Sequence, residues 1–148
     1  MTRIKDSIFI NAPVDKVHAM ATDPHGWETW YVGLGEAQKV EGEGGMGTIV
    51  HHSYLLAGIH FAVTTEVTQN SKDVNGAYHW KSLFEGRLAG WQNWDYEPKE
   101  GGTQVTAEIE YTIPGTVLAK IANRQFVEKM QGRHTRHTLE NLKHLMES

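Results

Sequence analysis

Between residues 35 and 113 the chain is cut at short intervals by turn signals, at residues 43–45, 57–58, 71–76, 85–88 and 99–102. The segments between them are rich in β-branched and aromatic residues and read as strands. After Pro114 and Gly115 the pattern changes. No proline interrupts residues 116–148, and Leu118, Ala122, Phe126 and Met130 recur at helical spacing, with Ile121 and Val127 beside them. Such a chain must lay one long helix against an antiparallel meander. At about 1.5 Å per residue that helix could run about 45 Å. Past Gly132 the apolar positions move to Leu139, Leu142, Leu145 and Met146. Either the helix bends near Gly132 or its middle crosses something other than solid core.

The front of the chain adds one strand over residues 3–10, which brings the count to seven. A helix follows, with Asn11 or Ala12 near its N-cap and Pro13 in its first turn. Asp23 and Pro24 stop it. Asp23 can cap a second short helix that carries Trp27, Trp30 and Tyr31 on one face.

The turns also set a register. A tight loop at residues 57–58 puts Tyr54 opposite Phe61 and His52 opposite Val63. The next turn puts Phe61 near Phe84 and Thr65 near Trp80. One face then collects Val50, His52, Tyr54, Phe61, Val63 and Thr65. Later strands add Tyr78, Trp80, Ser82, Phe84, Gln92, Trp94 and Tyr96, then Val105, Ala107, Ile109 and Tyr111. The other face collects Thr64, Glu66, Lys81, Asp95, Glu108 and Glu110, which suit water.

A length of 148 residues fits a single domain over 1–148, and 39% hydrophobic with 22% charged residues reads as soluble and globular. A net charge of -4 argues against nucleic acid as a partner. The absence of cysteine excludes disulfides and thiolate chemistry, and makes a cytoplasmic setting the expectation. The N-terminus has no apolar signal region and no run reaches the length of a membrane span, so stable membrane insertion is not expected.

Gly42, Gly44 and Gly47 fit the dinucleotide pattern G-x-G-x-x-G. A phosphate-binding loop of that kind must open a helix. Here Gly47 is followed by TIVHHSY, which is strand-like, so the stretch reads as a wide hairpin turn. The run KVEGEGGMGTIVHHSY resembles the glycine-rich hairpin of the birch-type pollen allergens. The ends, INAPVDKVHAMATDP and LENLKHLME, resemble the bacterial polyketide cyclase/dehydrase branch of the START-like (SRPBCC) superfamily. This resemblance covers nearly the whole chain. It implies an α+β helix-grip fold, in which a seven-stranded curved antiparallel sheet wraps around a long C-terminal helix, with two short helices after the first strand. It also implies an apolar ligand clasped between sheet and helix.

The residues expected at such a ligand are Trp27 and Tyr31 from the short helix, and His52, Tyr54, Phe61, Tyr78, Trp80, Ser82, Phe84, Gln92 and Trp94 from the sheet. Leu118, Ile121, Phe126 and Met130 are expected from the long helix. Aromatic side chains are also ordinary core. The polar trio His52, Ser82 and Gln92 on a dry face is what points to a cavity, because buried polar groups need partners. Of the nine histidines, His51 and His52 point to opposite faces of a strand, and no partner is placed with His134 and His137, so no metal and no cofactor are expected. Arg124, Glu128, Gln131 and Thr135 form a polar stripe, read as a solvated face with an Arg124–Glu128 ion pair; the alternative has it facing the cavity.

The leading expectation is binding or carriage of a small hydrophobic or amphipathic molecule such as a lipid, quinone or polyketide. One alternative is a cyclase or dehydratase working by general acid–base catalysis, with His52 and Tyr78 as its catalytic candidates. The other is a protein-interaction module without a ligand.

Overall fold

Seven strands form one antiparallel sheet in the computed structural model, which describes residues 2–56, 58–112, 115 and 124–148. The strands are β1 (Thr2–Ile10), β2 (Lys39–Glu41), β3 (Ile49–Leu56), β4 (Ile59–Lys72), β5 (Tyr78–Gly86), β6 (Ala89–Lys99) and β7 (Gly102–Thr112). Their spatial order is β1-β7-β6-β5-β4-β3-β2, so β2 to β7 form a meander and β1 returns beside β7. The helices are α1 (Val14–Ala21), α2 (Trp27–Trp30) and α3 (Arg124–Glu147), with a 3-10 turn over Pro24–Gly26 leading into α2. Pro13 holds the N-cap position of α1, one residue before the first helical turn in which it was expected. The Asp23 carboxylate accepts from His25 N at 3.0 Å and so caps the turn before α2.

The β3–β4 register is the expected one, with Tyr54 opposite Phe61 and His52 opposite Val63. The β4–β5 register is not. Phe84 pairs with Thr65, where Phe61 was expected, and Trp80 pairs with Asn70, where Thr65 was expected. The strand runs on through Lys72 and the turn is made by residues 73–77. There the Asp73 carboxylate accepts from Asn75 N and Ala77 N at 2.8 and 3.1 Å. A bulge between Val67 and Gln69 then re-phases the pairing. The main displacement is an even number of residues, so the two faces keep their identities. Val50, His52, Tyr54, Phe61, Val63, Thr65, Trp80, Phe84, Trp94 and Tyr96 are all buried on the inner side.

The glycine stretch is a hairpin between β2 and β3. Gly42, Gly44 and Gly47 have φ of 121°, 108° and 92°. Gly44 N donates to Thr48 Oγ1 at 3.0 Å, and its carbonyl accepts from Asn70 Nδ2 at 3.1 Å. No helix follows Gly47.

The core has two parts. One gathers Ile10, Val17, Trp27, Trp30, Trp80 and Trp94 with Leu139 and Leu142 of α3. The other gathers Tyr54, Phe61, Val63, Phe84, Ile109 and Tyr111 with Val127 of α3. The helix α3 is anchored along β1: Arg136 meets Asp6 at 3.1 Å, and Lys143 Nζ donates to the Phe9 carbonyl at 2.7 Å.

The buried face of α3 passes through Val127, Gln131, Thr135, Thr138, Leu139 and Leu142, and the helix is unbroken through Gly132. These positions follow one another at helical spacing, so no change of face is needed at Gly132. The apolar pattern looked rotated because the middle of the buried face is polar. Phe126, expected inside, is 53% exposed. The polar stripe is correspondingly not a solvated face: Gln131 and Thr135 are buried. Glu128 is half-buried and accepts from Thr2 Oγ1 at 3.3 Å. The expected ion pair lies outside the description, as do Leu118, Ala122 and Ile121, because the Arg124 side chain and residues 116–123 are not described.

Candidate functional site

A cavity of about 60 Å³ lies at the seam between the two core clusters, between the inner face of the sheet and α3. Its walls come from the helices, from the loop after α2 and the β5–β6 turn, and from strands β3 to β7. The α1–α2 segment supplies Ala21, Trp27, Trp30 and Tyr31, and the following loop supplies Leu34. The sheet supplies His52 and Tyr54, Val63 and Thr65, Trp80 and Phe84, Gln92, Trp94 and Tyr96, and Ile109 and Tyr111. Leu88 comes from the β5–β6 turn and Gln131 from α3.

The rings hold one another edge to face. Trp27 and Trp80 lie 5.7 Å apart at 83°, and Trp30 and Trp94 lie 5.8 Å apart at 78°. Trp27 is fixed from behind, since its Nε1–H donates to the Ala21 carbonyl at 2.9 Å.

The polar groups fall into small pairs. Gln92 Oε1 accepts from the Tyr31 hydroxyl at 3.1 Å and from Trp94 Nε1–H at 2.9 Å. The Tyr54 hydroxyl donates to Gln131 Oε1 and accepts from Gln131 Nε2, both at 3.1 Å. Burial pushes the phenols of Tyr31 and Tyr54 above their ordinary range, so both remain protonated donors. His52 Nε2 lies 2.7 Å from Thr65 Oγ1, while Nδ1 is buried without a partner. Burial, and next the neighbouring His51, lower the His52 pKa to about 4, so the ring is neutral at pH 7. None of the described lining residues is Asp, Glu, Lys or Arg.

Eight of the residues expected at a ligand line this cavity: Trp27, Tyr31, His52, Tyr54, Trp80, Phe84, Gln92 and Trp94. Five do not. Phe61 is fully buried in the second cluster, and Met130 is packed against it. Ser82 is buried on the inner face away from the lining. Phe126 points outward. Tyr78 lies under α1, stacked on His18 with 3.7 Å between ring centroids, and its hydroxyl donates to Asp15 at 2.6 Å. His52 and Tyr78 are therefore not brought together at the cavity. Leu118 and Ile121 are outside the described residues.

The sequence reading missed ten lining residues. For Val63, Thr65, Tyr96, Ile109 and Tyr111 the signal was present, because register had already put them on the inner face. Trp30 shares a helical face with Trp27. Gln131 was visible as a polar stripe but assigned to water. Ala21, Leu34 and Leu88 carried no signal.

Beyond the cavity an open groove of about 360 Å³ runs along residues 28–35, Ser53, Leu55, His60 and Asn141. Trp30, Tyr31 and Leu34 belong to both. Among the described residues no group of three His, Asp or Glu lies close enough to hold a metal ion, and no helix is long and apolar enough to cross a membrane.

Comparison with known proteins places this architecture. TTHA0849 from Thermus thermophilus superposes with a TM-score of 0.75 at 19% identity, covering 96% of this chain and 94% of that one. The Zhui aromatase/cyclase from Streptomyces sp. R1128 superposes with a TM-score of 0.69 at 16% identity, covering 98% and 93%. A START superfamily protein from Mycobacterium smegmatis gives 0.70 at 11% identity, covering 99% and 98%. At these identities the likeness is one of fold: the α+β helix-grip architecture. No curated protein matches the sequence. The sequence profile of the family described as polyketide cyclase / dehydrase and lipid transport matches residues 1–147. The chain belongs to that family.

Proposed function

We propose that the protein binds or carries a small hydrophobic or amphipathic molecule in the cavity between the sheet and α3. The observation that carries this reading is the composition of the cavity wall. Aromatic rings surround a void at the seam of two cores, and several polar atoms there lack partners. A mostly apolar cleft with a few convergent polar groups is the usual form of a small-molecule site. At about 60 Å³ the void holds only a few water molecules. Pockets that hold a drug-sized ligand measure about 300–1,000 Å³. Binding such a ligand therefore requires the rings to part. The wall shared with the outer groove, Trp30, Tyr31 and Leu34, is where that movement would join the cavity to the groove.

Native mass spectrometry of the purified protein, followed by organic extraction, tests the proposal. The expected result is a bound apolar compound, or saturable quenching of tryptophan fluorescence by apolar probes. A protein shown to be empty, whose fluorescence and melting temperature stay unchanged across fatty acids, quinones and flat aromatics, would overturn it and favour the interaction module.

A cyclase or dehydratase is the second reading, and His52 favours it. Its imidazole stands on the cavity wall within reach of a bound molecule; burial, which lowers its pKa to about 4, makes it a weak base there, so it would have to gain a hydrogen-bond partner from the ligand to act on a carbonyl compound. Turnover lost in His52→Ala with binding retained would support the enzyme; binding with no turnover by the native protein would exclude it.

A further inference from the structure

The polar groups around the cavity are mismatched in one direction. The indole Nε1–H groups of Trp30 and Trp80 are buried and have no hydrogen-bond partner. Both residues line the cavity and are only 3% and 6% exposed. An indole nitrogen can donate and cannot accept. Gln92 leans the same way. Its atom 2.9 Å from Trp94 Nε1 must be oxygen, because the indole only donates, and that oxygen also receives the Tyr31 hydroxyl. The other amide atom is then the NH₂ group, a further donor. Tyr54 and Gln131 satisfy each other. His52 Nδ1 is also unpaired, but the imidazole tautomer lets it give or take a proton.

Buried donors without acceptors are rare in native proteins, because each forfeits its hydration without return. Trp27 and Trp94 show the contrast in the same wall, since both indole groups are paired within the chain. Trp30 and Trp80 are held edge to face against those two paired rings. Their rings are thereby positioned by packing, and not by a hydrogen bond of their own.

On the reading that the cavity holds a small molecule, we propose that its ligand is an uncharged ring compound carrying at least two acceptor oxygens, which receive the Trp30 and Trp80 indole N–H groups. The flat ring suits the aromatic walls. Absence of charge follows from a described lining without Asp, Glu, Lys or Arg, where an ion would be desolvated with nothing to pair it.

Three probes of similar outline test this: naphthalene, 1,4-naphthoquinone and 1-naphthoate. The chain has no cysteine, so thiol addition to the quinone is absent. In ¹⁵N-labelled protein the five tryptophans report separately through their indole protons, assigned by through-space contacts and by Trp30→Phe and Trp80→Phe. Both neutral probes should bind, with the quinone about tenfold tighter or more, as two added hydrogen bonds imply. The quinone should move the Trp30 and Trp80 indole protons downfield, and naphthalene should not. 1-Naphthoate should bind most weakly. Each Trp→Phe variant should lose part of the quinone's advantage and retain naphthalene. The shifts in the unaltered protein carry the test if a variant fails to fold. Equal affinity for naphthalene and naphthoquinone, tightest binding of naphthoate, or unmoved Trp30 and Trp80 signals with bound quinone would overturn the inference and leave carriage standing. If none of the three binds, this inference falls, and carriage is decided by the organic extraction and the wider panel that includes fatty acids.

Discussion

His52 Nε2 lies 2.7 Å from Thr65 Oγ1, across the β3–β4 pair, and this is the one hydrogen bond its ring makes among the described residues. Burial lowers its pKa to about 4 in the folded protein, from about 6.5 in an open chain. The unfolded state then binds the extra proton between those values. The stability this group contributes is fully present above about pH 6.5 and is lost as pH falls toward 4. At pH 5 the loss is about 2 kcal/mol relative to pH 7.5. Urea unfolding at both pH values should show it, and His52→Leu should remove that part of the acid sensitivity.

His79 should titrate the other way. Its Nδ1 lies 2.6 Å from Asp95 and its Nε2 2.8 Å from Asp73, on the outer face of the sheet. The hydrogen bond to Asp95, then that to Asp73, raises its pKa above 6.5. Its contribution is present below the unfolded value and fades as pH rises through the folded one. Histidine NMR titration should place His79 above the open-chain value and His52 below it, and Asp95→Asn should move His79 down.

Gly44→Ala should destabilise the fold by at least about 2 kcal/mol. The residue has φ of 108°, and an added Cβ would run into the Thr22 carbonyl oxygen. Denaturant melts should show the loss. Calorimetry with NAD or ATP should show no saturable binding by the unaltered protein, since the hairpin opens no helix; micromolar affinity would contradict its structural role.

Val63→Phe should fill the cavity while the fold survives. Val63 lines the void opposite His52. Overpacking of this kind commonly costs about 1–3 kcal/mol. The affinity for naphthalene, followed by tryptophan fluorescence, should fall at least about tenfold, with a native circular dichroism spectrum. Phe61→Trp would not serve, because Phe61 lies in solid core outside the lining.

The legibility of this molecule in its sequence was uneven, for reasons tied to particular residues. The tight turn before Ile59 left little freedom, so the pairing of Tyr54 with Phe61 could be stated residue by residue. The polar end of β4, Gln69 to Lys72, looks like a turn because nothing in it is apolar; it is a strand because β5 pairs with it. A bulge between Val67 and Gln69 has no signature in alternation. Face membership was readable, but a face is larger than a cavity. Tyr78 and Trp80 point to the same side, and only the packing of α1 decides that Tyr78 meets Asp15 while Trp80 meets the void. Gln131 and Thr135 were hidden by the rule that polar means wet.

The return of β1 to β7 sets an order on folding. Thr2 sits opposite Tyr111 and Ile10 opposite Thr103, while every other neighbouring pair of strands is consecutive in the chain. The meander can zip up through local contacts, but β1 closes a loop of about a hundred residues, which lowers the folding rate through its high contact order. On a ribosome β1 is made before its neighbour β7 and has to wait for it. Until β7 emerges, β1 waits as an unpaired edge, and α3 has no rail along which to anchor Arg136 and Lys143. The inner aromatic face then lacks the cover of α3 until that helix is made, so any factor that protects this chain during synthesis has that face to cover.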